Sequence, residues 1–394
     1  MKRRAKIALG VVSGVAAMAV AAAGALAYLN RPLSRAELDR EVEALLQKAV
    51  AEEPTLTSAL LTVHRDGDDR ALQYAVGVQR EGGEAVTVHS AYHSASVGKT
   101  MLAVVYGQLV DEGVMSFGDP ITGVLDPSTL EGLFVVDGVD HAADVTFGAL
   151  LGHTSGVADY FEGPVTSGMP IIDEIAADPD RRYTPESLLA FSRERQHPVG
   201  VPGERFSYSD TGYILLGLAL ERIEGKPYAQ ILEDRLFAPL AMESSRLMTE
   251  FGPGSGIVAL RSGDLDLSER GALSVDWSGG GVVTTMDDLL SFSRALHGGV
   301  LVSERVRRHL TDFASEMDTG IRYGMGMMQF RFSELSPLLF TMSDVHGAVG
   351  ATGTFALYDP SSGTHYIANF GSLDYAEKAI EKLVEIRLLV DRLR

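Results

Sequence analysis

Ser96 and Lys99 stand three residues apart in the run His93-Ser94-Ala95-Ser96-Val97-Gly98-Lys99-Thr100, at the head of the apolar stretch Thr100–Val110. If that stretch is a helix beginning near Ser96, the two side chains share one face, one turn apart. Serine is a poor nucleophile until a neighbour takes its proton, and a lysine kept neutral by desolvation can do so. A helix start also supplies free backbone N–H groups and partial positive charge where an oxyanion forms. The S-x-x-K spacing alone is weak, because chance matches are common in 394 residues. The same octapeptide fails the phosphate-binding pattern G-x-x-x-x-G-K-[ST] only at His93. That pattern needs a preceding parallel strand and a βαβ succession. Glu84–Tyr92 offers a strand, but no such succession follows.

Further segments decide between the two chemistries. Tyr92 to Thr100 resembles the nucleophile motif of the class C β-lactamase-related serine hydrolases, a penicillin-binding-protein-like family that includes D-Ala-D-Ala carboxypeptidases, D-aminopeptidases and esterases. Leu150-Leu151-Gly152-His153-Thr154-Ser155-Gly156 resembles the family's L-L-x-H-T-S-G turn. The run Pro202 to Tyr213, with Tyr208-Ser209-Asp210 inside it, is similar to the second motif, P-G-x-x-F-x-Y-S-N-x-G-Y. Phe237 to Met242 resembles F-x-P-L-G-M, and Gly279 to Thr285 the glycine-rich loop before a helix. The motifs fall in the family's order from about residue 40 to the end of the chain.

The resemblance implies roles. Ser96 is acylated, Lys99 assists proton transfer, and Tyr208 carries the proton to the leaving group. The backbone N–H groups of Ser96 and Ala351 form the oxyanion hole. His153 reads as a buried turn histidine rather than a general base. Trp277, the chain's one tryptophan, reads as packing for the glycine loop, with the wall of the cleft as the alternative. Two departures stand out. Asp210 occupies the position of the family's Asn, replacing an amide with an acceptor-only carboxylate when ionised. The third motif, Lys/His-x-Gly, aligns best on Ala348-Val349-Gly350 and lacks its cationic side chain. His346 lies two residues earlier, on the same strand face and ~7 Å away, so it is expected to point into the cleft. A second alignment puts His346-Gly347-Ala348 on the motif at the expense of its glycine. Asp210, His346, Gly350 and Ala351 are therefore the expected substrate-binding residues.

These residues need elements to hold them. Arg35–Ala51 has helical periodicity behind Ser34 as a cap, and Thr57–His64 with Ala71–Val78 reads as a hairpin around Arg65–Asp69. Between Asp119 and Arg331 helical segments alternate with Gly/Pro loops: Pro185–Arg195, Tyr213–Ile223, Tyr228–Leu236 and Asp287–Leu296. Thr284 and Thr285 stand three residues before Asp287 and Asp288, the spacing of a capping box. Strands return at Leu338–Ser343, Thr354–Tyr358 and His365–Phe370, and Ala376–Arg392 closes the chain as a helix. Strands at both ends predict one antiparallel sheet flanked by helices, an α+β fold. Residues 32–118 and 336–394 form its sheet part and 119–335 a mainly helical insertion.

The first 31 residues are expected to be a signal anchor or signal peptide. Four basic residues within Met1–Lys6 precede Ile7–Leu29, which carries no charge and is long enough to span a bilayer core of ~30 Å. Positive flanking charge predicts export of everything after Arg31, and so an extracytoplasmic place in a bacterial envelope. A net charge of −19 without a basic cluster argues against nucleic acid as a partner. The absence of cysteine excludes disulfides, a thiol nucleophile and thiolate metal sites. The expectation is a serine hydrolase without metal or organic cofactor, acting on an ester or amide through a Ser96 acyl-enzyme. Its β-lactamase activity should be weak, with neutral or amine-bearing substrates preferred. The alternative is a non-catalytic envelope protein with a decayed third motif.

Overall fold

The computed structural model describes residues 31–252 and 254–393. The Ile7–Leu29 segment lies outside the described residues; among these no helix is long and apolar enough to cross a membrane.

The main sheet has eight strands: β1 (Ser58–Arg65), β2 (Leu72–Gly77), β3 (Ser315–Asp318), β4 (Ile321–Tyr323), β5 (Met328–Phe330), β6 (Val345–Gly350), β7 (Thr354–Asp359) and β8 (Thr364–Asn369). Their order is β3-β4-β5-β6-β7-β8-β1-β2, and every pairing is antiparallel. The two ends of the chain meet where β1 pairs with β8, in the register Leu60↔Asn369 to Arg65↔Thr364. Strand β1 is buried on both faces, so it reads as a continuous apolar run rather than an alternation.

One face of the sheet carries α1 (Arg35–Glu52) and the last helix, α5 (Ala376–Val390). Leu38, Val42 and Leu46 of α1 and Leu383 and Ile386 of α5 pack there against Leu61, Phe355 and Tyr366. Ser34 and Glu37 form a reciprocal capping box at the start of α1, an arrangement that stabilises such a helix by ~1 kcal/mol. The other face carries α4 (Met286–His297), capped by Thr285, and continues into the helical region. Between sheet and helices runs α2 (Gly98–Asp111), almost wholly buried, packed against α3 (Asp210–Glu224) in one continuous core.

The architecture agrees with the α+β expectation in its main lines and corrects it in two places. Leu338–Ser343 is not a strand. Ser336 accepts from the Leu338 N–H and Pro337 occupies the first helical position, so the segment makes a short helical turn over Pro337–Leu339. Leu338 and Phe340 are left exposed, and the strand begins later, at Val345. The helical insertion drawn to residue 335 also ends too late. Strands β3, β4 and β5 already belong to the sheet, so its second half starts at Ser315. Of Glu84–Tyr92, only Tyr92 enters a strand, Tyr92–His93, and this pairs antiparallel with Val282–Thr284. That is the wrong sense for a phosphate-binding loop.

Candidate active site

Ser96 sits in a 3-10 turn, Ala95–Val97, that leads into α2. Ala95 takes φ +47, a left-handed conformation that disfavours larger side chains and turns Ser96 out of the core. The turn is pressed from two sides by glycines. A Cβ at Gly280 would lie 2.5 Å from the Ala95 carbonyl, and one at Gly350 would lie 2.8 Å from Ala95 Cβ and 3.2 Å from Ser96 N. Gly350 of β6 therefore stands beside the Ser96 N–H, as the Ala348-Val349-Gly350 alignment requires. Ala351 follows at the start of the turn into β7.

Three expected residues converge. Lys99 Nζ donates to Ser96 Oγ at 3.1 Å and to the Gly279 carbonyl at 2.6 Å. The Tyr208 hydroxyl donates to the same Ser96 Oγ at 3.1 Å. Asp210, the first residue of α3, forms a close ion pair with Lys99. Both partners are desolvated, with side chains 1% and 8% exposed. Burial alone would depress the Lys99 ammonium, but Asp210 and Asp276 more than offset it and hold the pKa above its ordinary value. The two carboxylates thus favour the ammonium form of Lys99, where desolvation alone would favour the neutral amine. Burial and neighbouring Asp276 push Asp210 up against the pull of Lys99, while burial and Asp210 keep the Tyr208 phenol protonated.

The site is more acidic than its motifs suggest. Asp159 accepts from the backbone N–H groups of Asp210, Phe161 and Glu162 at 3.0, 3.1 and 3.0 Å. Burial and the adjacent Asp210 push its carboxyl up to about 7. Asp276 heads the glycine loop, and Glu162 is exposed at the rim. Neither these acids nor the Gly279 carbonyl carried a signal in sequence spacing. Tyr323, from the three-residue strand β4, was missed for the same reason.

One expected binding residue lies elsewhere. The His346 ring packs against His297, Phe313 and Tyr358 at 5.0, 5.8 and 5.8 Å, over the end of α4. Burial lowers its pKa to about 4. Its strand face was read correctly, but that face is covered by α4 at this end of β6. Ala348 is also buried and lines a small cavity with Val97, Thr100, Phe292 and His297. Trp277 packs edge-on to Tyr228 at 5.6 Å and against Gly217, the packing role expected of it. His153 is 1% exposed and kept neutral by burial and nearby Lys99, in keeping with a buried turn histidine.

Residues 42–381 match the family described as Beta-lactamase. The chain belongs to the beta-lactamase family. Among its relatives, Penicillin-binding protein 4 of Amycolatopsis lactamdurans is 32% identical over 206 residues, 51% of this chain and 48% of that one. A D-aminopeptidase of Brucella anthropi is 23% identical over 184 residues, 45% of this chain and 33% of its own length. The chain thus spans about half or less of these curated relatives. The fold is similar to that of D-amino acid amidase from Ochrobactrum anthropi SV3, with a TM-score of 0.74 and 22% identity, covering 90% of this chain and 98% of the other. It is also similar to EstCE1, a hydrolase with promiscuous acyltransferase activity, with a TM-score of 0.71 and 17% identity over 89% and 98%. The family match and the shared fold are what these comparisons establish.

Proposed function

We propose that this protein is a serine hydrolase that works through an acyl-enzyme on Ser96 and prefers esters or amides whose acyl group carries a free amine. The observation that carries the reading is the convergence of Lys99 Nζ and the Tyr208 hydroxyl on Ser96 Oγ, each at 3.1 Å. Because Lys99 rests as an ammonium, it accepts the Ser96 proton only as it passes one of its own to Asp210. Asp210 is suited to receive it, since its carboxyl is already raised by burial. Ser96 Oγ bonds to the substrate carbonyl carbon, and the oxyanion is held by the N–H groups of Ser96 and Ala351. As the carbon–leaving-group bond breaks, Tyr208 protonates the departing atom and recovers a proton from the Lys99–Asp210 pair. Water then repeats the sequence in reverse roles to release the acid.

Selectivity follows from charge. Asp159, Asp210, Asp276 and Glu162 surround one lysine, so an ammonium on the substrate is favoured and a carboxylate repelled. With buried Ala348 in place of a cationic residue, penicillins gain no charged contact there, and weak β-lactamase activity is expected. The D-aminopeptidase and D-amino acid amidase relatives support amino-acid amides as a substrate class. An extracytoplasmic location belongs to the same reading and rests on the basic and apolar N-terminal sequence.

Ser96→Ala tests the mechanism. Turnover of nitrophenyl esters and labelling by a fluorophosphonate should both vanish while the melting temperature stays within a few degrees, the substitution being small for small. Near wild-type hydrolysis in a folded Ser96→Ala protein overturns the reading.

A further inference from the structure

We infer that His153 is a positioning residue that clamps Tyr208 at three points. This rests on the serine mechanism above and assigns a task to a side chain that the mechanism leaves idle. The His153 carbonyl accepts from the Ser207 N–H at 2.8 Å, and its Nδ1 accepts from the Ser209 N–H at 3.1 Å. The residues on either side of Tyr208 are therefore both tied to His153. Between them the Tyr208 ring lies over the imidazole, with centroids 4.2 Å apart and planes at 33°.

The tautomer is fixed by the same contacts. A backbone N–H can only donate, so Nδ1 carries no proton, and the single proton of the neutral ring sits on Nε2. Nε2 faces the Tyr323 hydroxyl at 3.1 Å, which accepts it. Tyr213, 5.1 Å from the imidazole, and Tyr323, at 4.7 Å, close the remaining sides of the ring. A protonated imidazole would need a donor at Nδ1 where Ser209 already donates. Burial and nearby Lys99 oppose that charge as well. His153 also holds φ +55, so its own backbone is committed to this turn. A rigid neutral ring beneath Tyr208 fixes the direction of its hydroxyl, and small misplacements of a catalytic group are costly.

The test compares two esters of one acyl group in the full-length protein, an alkyl ester whose leaving group needs a proton and a nitrophenyl ester whose leaving group does not. His153→Asn keeps an acceptor for Ser209, tolerates positive φ and deletes the ring. It should lower kcat/KM about thirtyfold on the alkyl ester and less than about threefold on the nitrophenyl ester. In a Tyr208→Phe background, itself down about a hundredfold, the same change should cost less than about threefold more. Equal losses on the two esters, multiplied losses in the double variant, or no loss at all overturn the clamp. Should His153→Asn lack a cooperative thermal transition, Tyr323→Phe takes its place. It frees Nε2 and should cost about fivefold on the alkyl ester and nothing further beside Tyr208→Phe, with the opposite pattern counting against the proposal. Failure of the serine mechanism would show separately, as activity surviving Ser96→Ala.

Discussion

Two buried cation–aspartate pairs lie on opposite faces of the main sheet. Arg387 of α5 meets Asp359 at the end of β7 at 2.8 Å, with side chains 2% and 4% exposed. Lys99 meets Asp210 under almost the same degree of burial. The surroundings differ. Asp359 also accepts from Ser343 and from the backbone and hydroxyl of Ser361, and these bonds with Arg387 hold its carboxyl below the ordinary value although burial alone would raise it. Arg387 donates further to the Ser343 carbonyl and packs over the Phe332 and Tyr366 rings. The bonds from Ser343 and Ser361 keep the Asp359 carboxylate ionised beside Arg387. Around Lys99 several carboxylates compete for one cation, and Asp210 is raised rather than lowered. A pair of this kind can pass a proton back and forth. Burial is common to both pairs; the Ser343 and Ser361 hydrogen bonds that keep Asp359 ionised separate support from chemistry.

The comparison breaks most visibly at Arg387. Arg387→Met leaves Asp359 buried without its cation, and unfolding in urea should show a loss of about 3–5 kcal/mol with kcat of the folded protein unchanged. A loss below about 1 kcal/mol would mean that the pair is not structural.

Asp210→Asn probes the other pair and should cost about thirtyfold in kcat/KM at pH 7, or about 2 kcal/mol. The wild-type pair can take up the serine proton whenever Asp210 is ionised, above its raised pKa. Without that carboxylate, Lys99 must itself lose a proton first, so the acid limb of the pH–rate profile should move to higher pH. An unmoved limb would rule out Asp210 as the acceptor.

Glu162→Gln is the mildest change, on the rim. KM for an amine-bearing ester should rise about fivefold, or about 1 kcal/mol, while the N-acetylated ester is unaffected. Equal effects on both esters would remove amine recognition from the acidic cluster.

Much of this was legible beforehand where function is written in local sequence. The Ser96–Lys99 spacing, the Tyr208 motif and the glycine loop each place their residues by short-range geometry, and the structure brings them together. The capped helix α1, the hairpin β1–β2 and the closing strands were readable because their apolar patterns run for six residues or more. Strands β4 and β5, of three residues each, are too short for a period of two to show. His346 was misplaced because strand alternation gives a side chain's face but not what covers it. Asp276, which adds to the hold of Asp210 on the Lys99 ammonium, lies 177 residues from Lys99 in sequence, so no spacing could show it.

The closure of β1 onto β8 has a consequence for the life of the chain before it is complete. The turn bearing Ser96 leans on Gly350, and the strand that carries Gly350 is held in place by β7 and β8. A ribosome that has made only the first three hundred or so residues has therefore made the Ser96 turn but none of the strands β6, β7 and β8 that brace it. Contacts of such long range form late and slowly, after their loop entropy has been overcome. The Gly350 brace thus arrives last, with the final strands, after Ser96, Lys99, Tyr208 and Asp210 have all been made.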